Sequence, residues 1–145
     1  MKVVVQRVDS ASVRIAGKVV GEVGRGLLIL AAFAASDTEE VLRWMAEKLR
    51  GLRVFADPDG RMNLDVGEAG GGLLVVSQFT LYGDVSRGRR PSFVGAAPPE
   101  QARSMYEKFV ELCRAQGVPV ASGEFGGMMD VELVNSGPVT LVIER

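Results

Sequence analysis

Apolar and polar positions along this chain alternate over short distances, with helical spacing in only two places. Val3 to Ile15 is rich in β-branched residues and is broken only by Asp9-Ser10-Ala11, which predicts one long strand or two short ones. Ala16-Gly17-Lys18 reads as a tight turn, so Val19 to Val23 should return antiparallel as a hairpin. Gly24-Arg25-Gly26 leads into Leu27 to Phe33, a continuous apolar run of the kind that makes a buried strand. A first helix begins near Ser36-Asp37-Thr38-Glu39-Glu40, where Ser36 with Glu39 or Asp37 with Glu40 could form a capping box. Val41, Met45, Leu49 and Leu52 recur at helical spacing, and Gly51 is a natural stop.

Val54-Phe55 forms a short strand before the turn Asp57-Pro58-Asp59-Gly60. After Gly70-Gly71-Gly72 comes Leu73 to Val76, apolar enough for a central strand. Pro98-Pro99-Glu100 opens a second helix, with Ala102, Met105, Tyr106, Phe109, Leu112 and Cys113 as its apolar stripe and Gly117 at its end. Two further strands follow near Met128 to Val134 and Val139 to Ile143, joined by Asn-Ser-Gly-Pro. Strands outnumber helices, and the order βββ-α-ββ-α-ββ is no regular βαβ alternation. The pattern predicts an α+β fold in a single domain covering residues 1–145: a mostly antiparallel sheet or partly closed barrel with two packed helices.

Composition narrows the chemistry. The chain has 145 residues, 47% hydrophobic and 24% charged, enough to bury a core and far from disorder. The longest apolar run, Gly26 to Ala35, is too short to span a bilayer, and no signal peptide opens the chain, so the expectation is a soluble cytoplasmic protein. A lone cysteine, Cys113, excludes an internal disulfide and any multi-cysteine metal site. No tight acidic cluster calls for magnesium. The net charge of −1 argues against non-specific nucleic-acid binding. Arg87, Arg89 and Arg90 nevertheless crowd one short loop; they suit phosphate contacts, or equally reflect a genome that favours arginine, glycine and alanine. Neither a dinucleotide fingerprint nor a Walker loop is present.

Two polar segments stand out. The central strand runs into Ser77-Gln78-Phe79-Thr80, and polar side chains at the end of a buried strand need partners. On a continuing strand Ser77 and Phe79 would share one face, and Gln78 and Thr80 the other. The alternatives are a wet edge strand and the mouth of a pocket. A hydroxyl nucleophile normally needs a base within reach, yet the chain has no histidine, and none of its four lysines lies beside the motif in sequence. This disfavours an acyl-enzyme route; with no G-x-S-x-G element present, a general esterase is disfavoured too. What remains is a site that positions its substrate and stabilises an oxyanion through backbone N–H groups. The second segment is Asn135-Ser136-Gly137-Pro138-Val139-Thr140. A trans Gly137-Pro138 bond makes an ordinary turn, whereas a cis bond would point two carbonyls the same way, as acceptors for an ammonium group.

At these two segments the chain closely resembles the D-aminoacyl-tRNA deacylases of bacterial and eukaryotic type, also called D-tyrosyl-tRNA deacylases. The signatures of that family are Ser-Gln-x-Thr and Asn-x-Gly-Pro-x-Thr, met here at Ser77 to Thr80 and at Asn135 to Thr140. The likeness extends to the opening Val-Val-Val-Gln-Arg-Val, to Val54 through Leu64 and to Arg90-Pro91-Ser92-Phe93. The resemblance implies hydrolysis of the ester joining a D-amino acid to tRNA, broad in side chain and extending to mischarged glycyl-tRNA, without metal or cofactor. It further implies a homodimer with active sites at the interface, where Gly137 and Pro138 of one subunit reject L-amino acids from the pocket of the other. By the same resemblance Ser77, Gln78, Phe79 and Thr80 orient the terminal adenosine and its ester. Thr80 is then either the nucleophile or a positioning group for attack assisted by the ribose 2′-hydroxyl. Phe125 and Met129 would line the adenosine pocket, with core packing as their competing role. The competing class is a non-catalytic RNA- or nucleotide-binding β module.

Overall fold

The computed structural model describes all 145 residues. Strand β1 (Lys2–Ile15) is the spine of the sheet. Along one edge it pairs antiparallel with β3 (Gly26–Ala32) through its first half and with β2 (Lys18–Val23) through its second. Ala16 and Gly17 both have positive φ, 48° and 79°, which makes the tight hairpin turn expected between β1 and β2. The other edge of β1 carries β8 (Met129–Glu144) along nearly its whole length. Beyond β3 lie β6 (Gly72–Ser77) and β7 (Val120–Ser122), and both of these pairings are parallel. The sheet is therefore mixed: antiparallel pairing along β1 predominates, as expected, and the two parallel pairings are β3 with β6 and β6 with β7. It curls until β2 meets β7, where a Cβ on Gly21 would stand 2.7 Å from the Ser122 carbonyl oxygen, so the barrel is nearly closed. A small second sheet pairs β4 (Phe55–Ala56) with β5 (Met62–Leu64) across the Asp57–Gly60 turn.

Helices α1 (Glu39–Arg50) and α2 (Pro99–Arg114) cover one face of this sheet. Between them lies the larger core, in which Val3, Val5, Leu27, Ile29, Leu73 and Val75 meet Met45, Leu49 and Phe109. A smaller core fills the curl on the opposite face, around Val8, Ala11, Val13, Leu28, Leu74 and Val76. Strands β3 and β6 are thus buried on both faces, which is why their sequences run apolar without alternating. Val8, Ala11 and Val13 share one face only because Asp9 is an extra residue: Val8 pairs with Asn135 and Ser10 with Val134, so the phase of β1 shifts by one there.

Neither capping box forms. Thr38 is the N-cap of α1 and makes no side-chain cap bond. Asp37 is drawn elsewhere, accepting from the Met1 amine at 2.7 Å and from the Ala34 N–H at 2.8 Å. Gly51 ends α1 as expected, whereas α2 stops at Arg114, before the Gly117 turn. Cys113 is fully buried, and burial pushes its thiol up to about 12, in keeping with a packed core group. No helix is long and apolar enough to cross a membrane.

Candidate active site

Three parallel strands, β3, β6 and β7, end side by side, and the chain leaving each end is tied to its neighbours. The Gln78 N–H donates to the Ala31 carbonyl at 2.8 Å, Gly123 N–H to Val75 at 2.9 Å, and Ala97 N–H to Phe33 at 2.8 Å. These bonds hold three loops around one opening. A cavity of about 680 Å³ lies there, and ten of its sixteen lining residues are hydrophobic. Its walls come from the end of β6 and its exit (Val76 to Phe79), the approach to α2 (Phe93 and Ala96 to Pro99), and the β7–β8 connection with the first residues of β8. A large, mainly apolar cavity with a few convergent polar groups is the usual form of a small-molecule site. The open groove along α2 differs: it is framed by Arg103, Glu107, Glu111, Arg114 and Glu124 and has only three hydrophobic lining residues of ten.

Five of the eight residues singled out in the sequence line this cavity: Ser77, Gln78, Phe79, Phe125 and Met129. Thr80 adjoins them, and its hydroxyl accepts a hydrogen bond from the Gln78 amide. The strand alternation expected across Ser77 to Thr80 does not hold, because β6 stops at Ser77 and Phe79–Tyr82 form a 3-10 turn with Gln78 as its N-cap. Gln78 and Thr80 meet through that turn rather than through a shared strand face. The N–H groups of Phe79 and Thr80 open the turn, where helical geometry supplies no intrahelical acceptor. The Phe79 ring is 56% exposed yet packs edge-on against Phe93, with centroids 5.0 Å apart, closing one side of the opening.

The opposite wall rests on Tyr106 of α2. Its buried hydroxyl lies 2.9 Å from the Val75 carbonyl and 3.0 Å from that of Gly123, and burial raises its pKa to about 12. The ring lies 5.9 Å from Phe125, itself capped by the Arg103 guanidinium at 5.0 Å. Tyr106→Phe removes the only side-chain donor to these carbonyls. The expected cost is about 1–2 kcal/mol of stability, read as a lower urea midpoint at unchanged slope.

Gly137 and Pro138 do not line this cavity. Asn-Ser-Gly-Pro does not join two strands; it is a bulge within β8, since Asn135 pairs with Val8 and Thr140 with Gln6, leaving Ser136 to Val139 opposite Arg7 alone. The Gly137–Pro138 bond is cis, and Gly137 has φ 111°. The bulge is held from within and from below. Asn135 Nδ2 donates to the carbonyls of Arg7 at 2.9 Å and Val139 at 3.0 Å, and Arg7 Nε donates to the Ser136 carbonyl at 3.1 Å. Phe93, the Ala96 to Pro99 wall and Gly126 to Met128 escape sequence reasoning because small and apolar residues carry no chemical signal. Only Pro98-Pro99, opening a helix, marks that wall.

Fold and site together define a small α+β domain with a mainly apolar pocket at the ends of parallel strands. The family described as D-Tyr-tRNA(Tyr) deacylase matches residues 4–144, and the chain belongs to that family. It is 56% identical to a D-aminoacyl-tRNA deacylase of Desulfatibacillum aliphaticivorans, over 99% of each chain. It is 52% identical to the one from Thermotoga petrophila, over 99% of this chain and 97% of the relative. Among solved structures, a c-Myc DNA unwinding element binding protein superposes with a TM-score of 0.94 at 40% identity, covering 100% of this chain and 99% of that one. A probable eukaryotic D-amino acid tRNA deacylase has the same fold, with a TM-score of 0.84 at 22% identity over 98% of this chain and 97% of that one.

Proposed function

We propose that this protein hydrolyses the ester joining a D-amino acid, or glycine, to the 3′-terminal adenosine of tRNA. Family membership and the full-length relatives support the deacylase activity. The observation that carries the assignment of the site is the apolar cavity whose polar edge is Ser77, Gln78 and Thr80. Its walls suit a purine and ribose, and its amide and hydroxyls suit an ester that must be oriented rather than attacked. Hydrolysis adds water across that ester: the water oxygen ends on the amino-acid carboxylate, and a proton returns to the ribose 3′-oxygen. The N–H groups of Phe79 and Thr80 face the oxygen that becomes negative as water adds. Phe125 and Met129 hold the adenosine, and no step calls for a metal or cofactor.

Chirality is assigned to Gly137 and Pro138 acting across a homodimer. Within one chain their bulge does not line the cavity, so a filter built from it has to come from a second copy. Their carbonyls would meet an L side chain and leave room for a D residue or glycine, a specificity made by rejection. Substrates of this kind place the protein in the cytoplasm.

A nucleic-acid-binding module without turnover is the second reading, favoured by the name of the 40%-identical solved structure. Ester turnover separates the two. With a chelator present, the protein should release D-tyrosine from D-tyrosyl-tRNA and leave L-tyrosyl-tRNA intact; binding of tRNA with no release from either would leave the binding module. Gly137→Ala tests the filter. An added Cβ would strike the Arg7 guanidinium at a backbone φ that side chains rarely adopt, so the bulge must shift. Discrimination between D and L esters should then fall on the order of 10²-fold. Unchanged discrimination would remove the bulge from the site.

A further inference from the structure

The loop after the 3-10 turn bears on how the rest of the substrate is held. It is pinched at its neck, where Asp84 and Ser92 exchange backbone hydrogen bonds at 2.7 and 2.9 Å. Between them stand Val85-Ser86-Arg87-Gly88-Arg89-Arg90-Pro91, with three arginines and no acidic residue. All three are exposed, and no carboxylate lies within ion-pair distance of any of them. The nearest acid in the chain, Asp84, turns its side chain to the Ser86 N–H at 2.9 Å. In a chain of net charge −1, this is a local concentration of unpaired positive charge.

Its position is specific. The loop leaves from Tyr82-Gly83, at the end of the turn that carries Phe79 and Thr80, and returns directly into Phe93, a cavity wall residue in contact with Phe79. Arg90 is three residues from Phe93, so at ~3.5 Å per residue its backbone lies no more than about 10 Å from that wall. Planar guanidinium groups on a loop that returns into the cavity wall match the phosphates of a polynucleotide whose last nucleoside occupies the cavity.

We infer that Arg87, Arg89 and Arg90 form a phosphate clamp for the tRNA acceptor end, holding the backbone just upstream of the terminal adenosine. This inference rests on the deacylase function proposed above and adds the element that distinguishes a tRNA ester from a small one. The loop contributes affinity for the long substrate and nothing to the chemistry. Phosphate contacts carry no base information, so the clamp acts alike on tRNAs of any sequence.

The test compares the parent with R87Q/R89Q/R90Q on two esters, D-tyrosyl-tRNA and 3′-O-(D-tyrosyl)adenosine, over a range of salt. KM for the tRNA ester should rise in the variant at unchanged kcat. The slope of log KM against log salt should become shallower by about 2 to 3, close to one for each phosphate that no arginine neutralises any longer. Turnover of the adenosine ester should not change, and R87K/R89K/R90K should restore most of the salt slope. Equal KM and slope in parent and variant would overturn the clamp. Equal losses on both esters would also overturn it, because the loop would then be shaping the cavity. Should the parent cleave neither ester, the deacylase function falls, and the salt slope for binding uncharged tRNA by parent and variant still decides whether the loop holds phosphate.

Discussion

Gly26→Ala is expected to cost about 4 kcal/mol or more, enough to leave the protein barely folded, since natural domains hold only about 5–15 kcal/mol in reserve. Gly26 pairs in register with Gly72 where β3 and β6 begin, and the Gly72 N–H donates to the Arg25 carbonyl at 3.2 Å. A Cβ on Gly26 would press on the Gly72 carbonyl oxygen and stand 2.9 Å from its carbon. Both are backbone atoms, so no rotamer change relieves the clash. Nor can the strands separate, because Leu27 and Leu73 follow directly and are fully buried. Overpacking against side chains usually costs ~1–3 kcal/mol, and a rigid backbone neighbour raises that. Gly24→Ala is the matched control: its Cβ would meet nothing within 4 Å, so the change should stay within about 0.5 kcal/mol. Urea unfolding of both variants gives the comparison, and a Gly26→Ala midpoint close to that of Gly24→Ala would mean that the two strands are not in the register described.

The same glycine shows what the sequence could and could not reveal. Gly24-Arg25-Gly26 is legible as the approach to a buried strand, but nothing local says that Gly26 must face a second glycine forty-six residues on. Partners distant in sequence are invisible to local pattern. Val120 to Ser122 is missed for that reason, since three half-buried residues become a strand only by lying parallel to β6. Met62 to Leu64 is likewise a strand only through β4. The capping boxes fail differently: the local motif is present, but Asp37 gains more from a nearly buried amine and a loop N–H than from a helix end. The continuous β8 departs from expectation because Gly-Pro usually punctuates a strand. Here a four-residue bulge opposite Arg7 absorbs the proline, and both halves keep pairing with β1.

The candidate site divides in the same way. The end of β6 is readable because Leu73 to Val76 demands burial on both faces, and a polar run immediately after it has to line an opening or find partners. The 3-10 turn that gathers Gln78 and Thr80 is not readable, since Phe-Thr-Leu-Tyr carries strand propensity and the turn is imposed by the Ala31 carbonyl and by Phe93. The placement of Gly137 and Pro138 outside their own chain's cavity is a tertiary fact that no spacing of residues encodes.

Removing the ribose 2′-hydroxyl of the terminal adenosine should slow hydrolysis of D-tyrosyl-tRNA by roughly 10²- to 10⁴-fold, whereas Thr80→Ala should cost no more than about 10-fold. The reason lies in what surrounds the Thr80 hydroxyl. Its partner is the Gln78 amide, which donates to it, and neither atom of a carboxamide takes a proton at neutral pH. The chain has no histidine. The lysine at the neighbouring Tyr82 is Lys2, whose ammonium lies 4.9 Å from that ring and 3.6 Å from the Glu144 carboxylate, engaged with both. A hydroxyl without a base is a poor nucleophile, which supports the proposal that the ribose 2′-hydroxyl, the group next to the ester, relays the proton. On that proposal Thr80 acts by position. Combining Thr80→Ala with the 2′-deoxy substrate should cost less than the product of the two separate losses, because both changes act on the same alignment. A covalent D-tyrosyl adduct on Thr80 in rapidly quenched wild-type protein, or a Thr80→Ala loss as large as the 2′-deoxy loss, would reverse the assignment and make Thr80 the nucleophile.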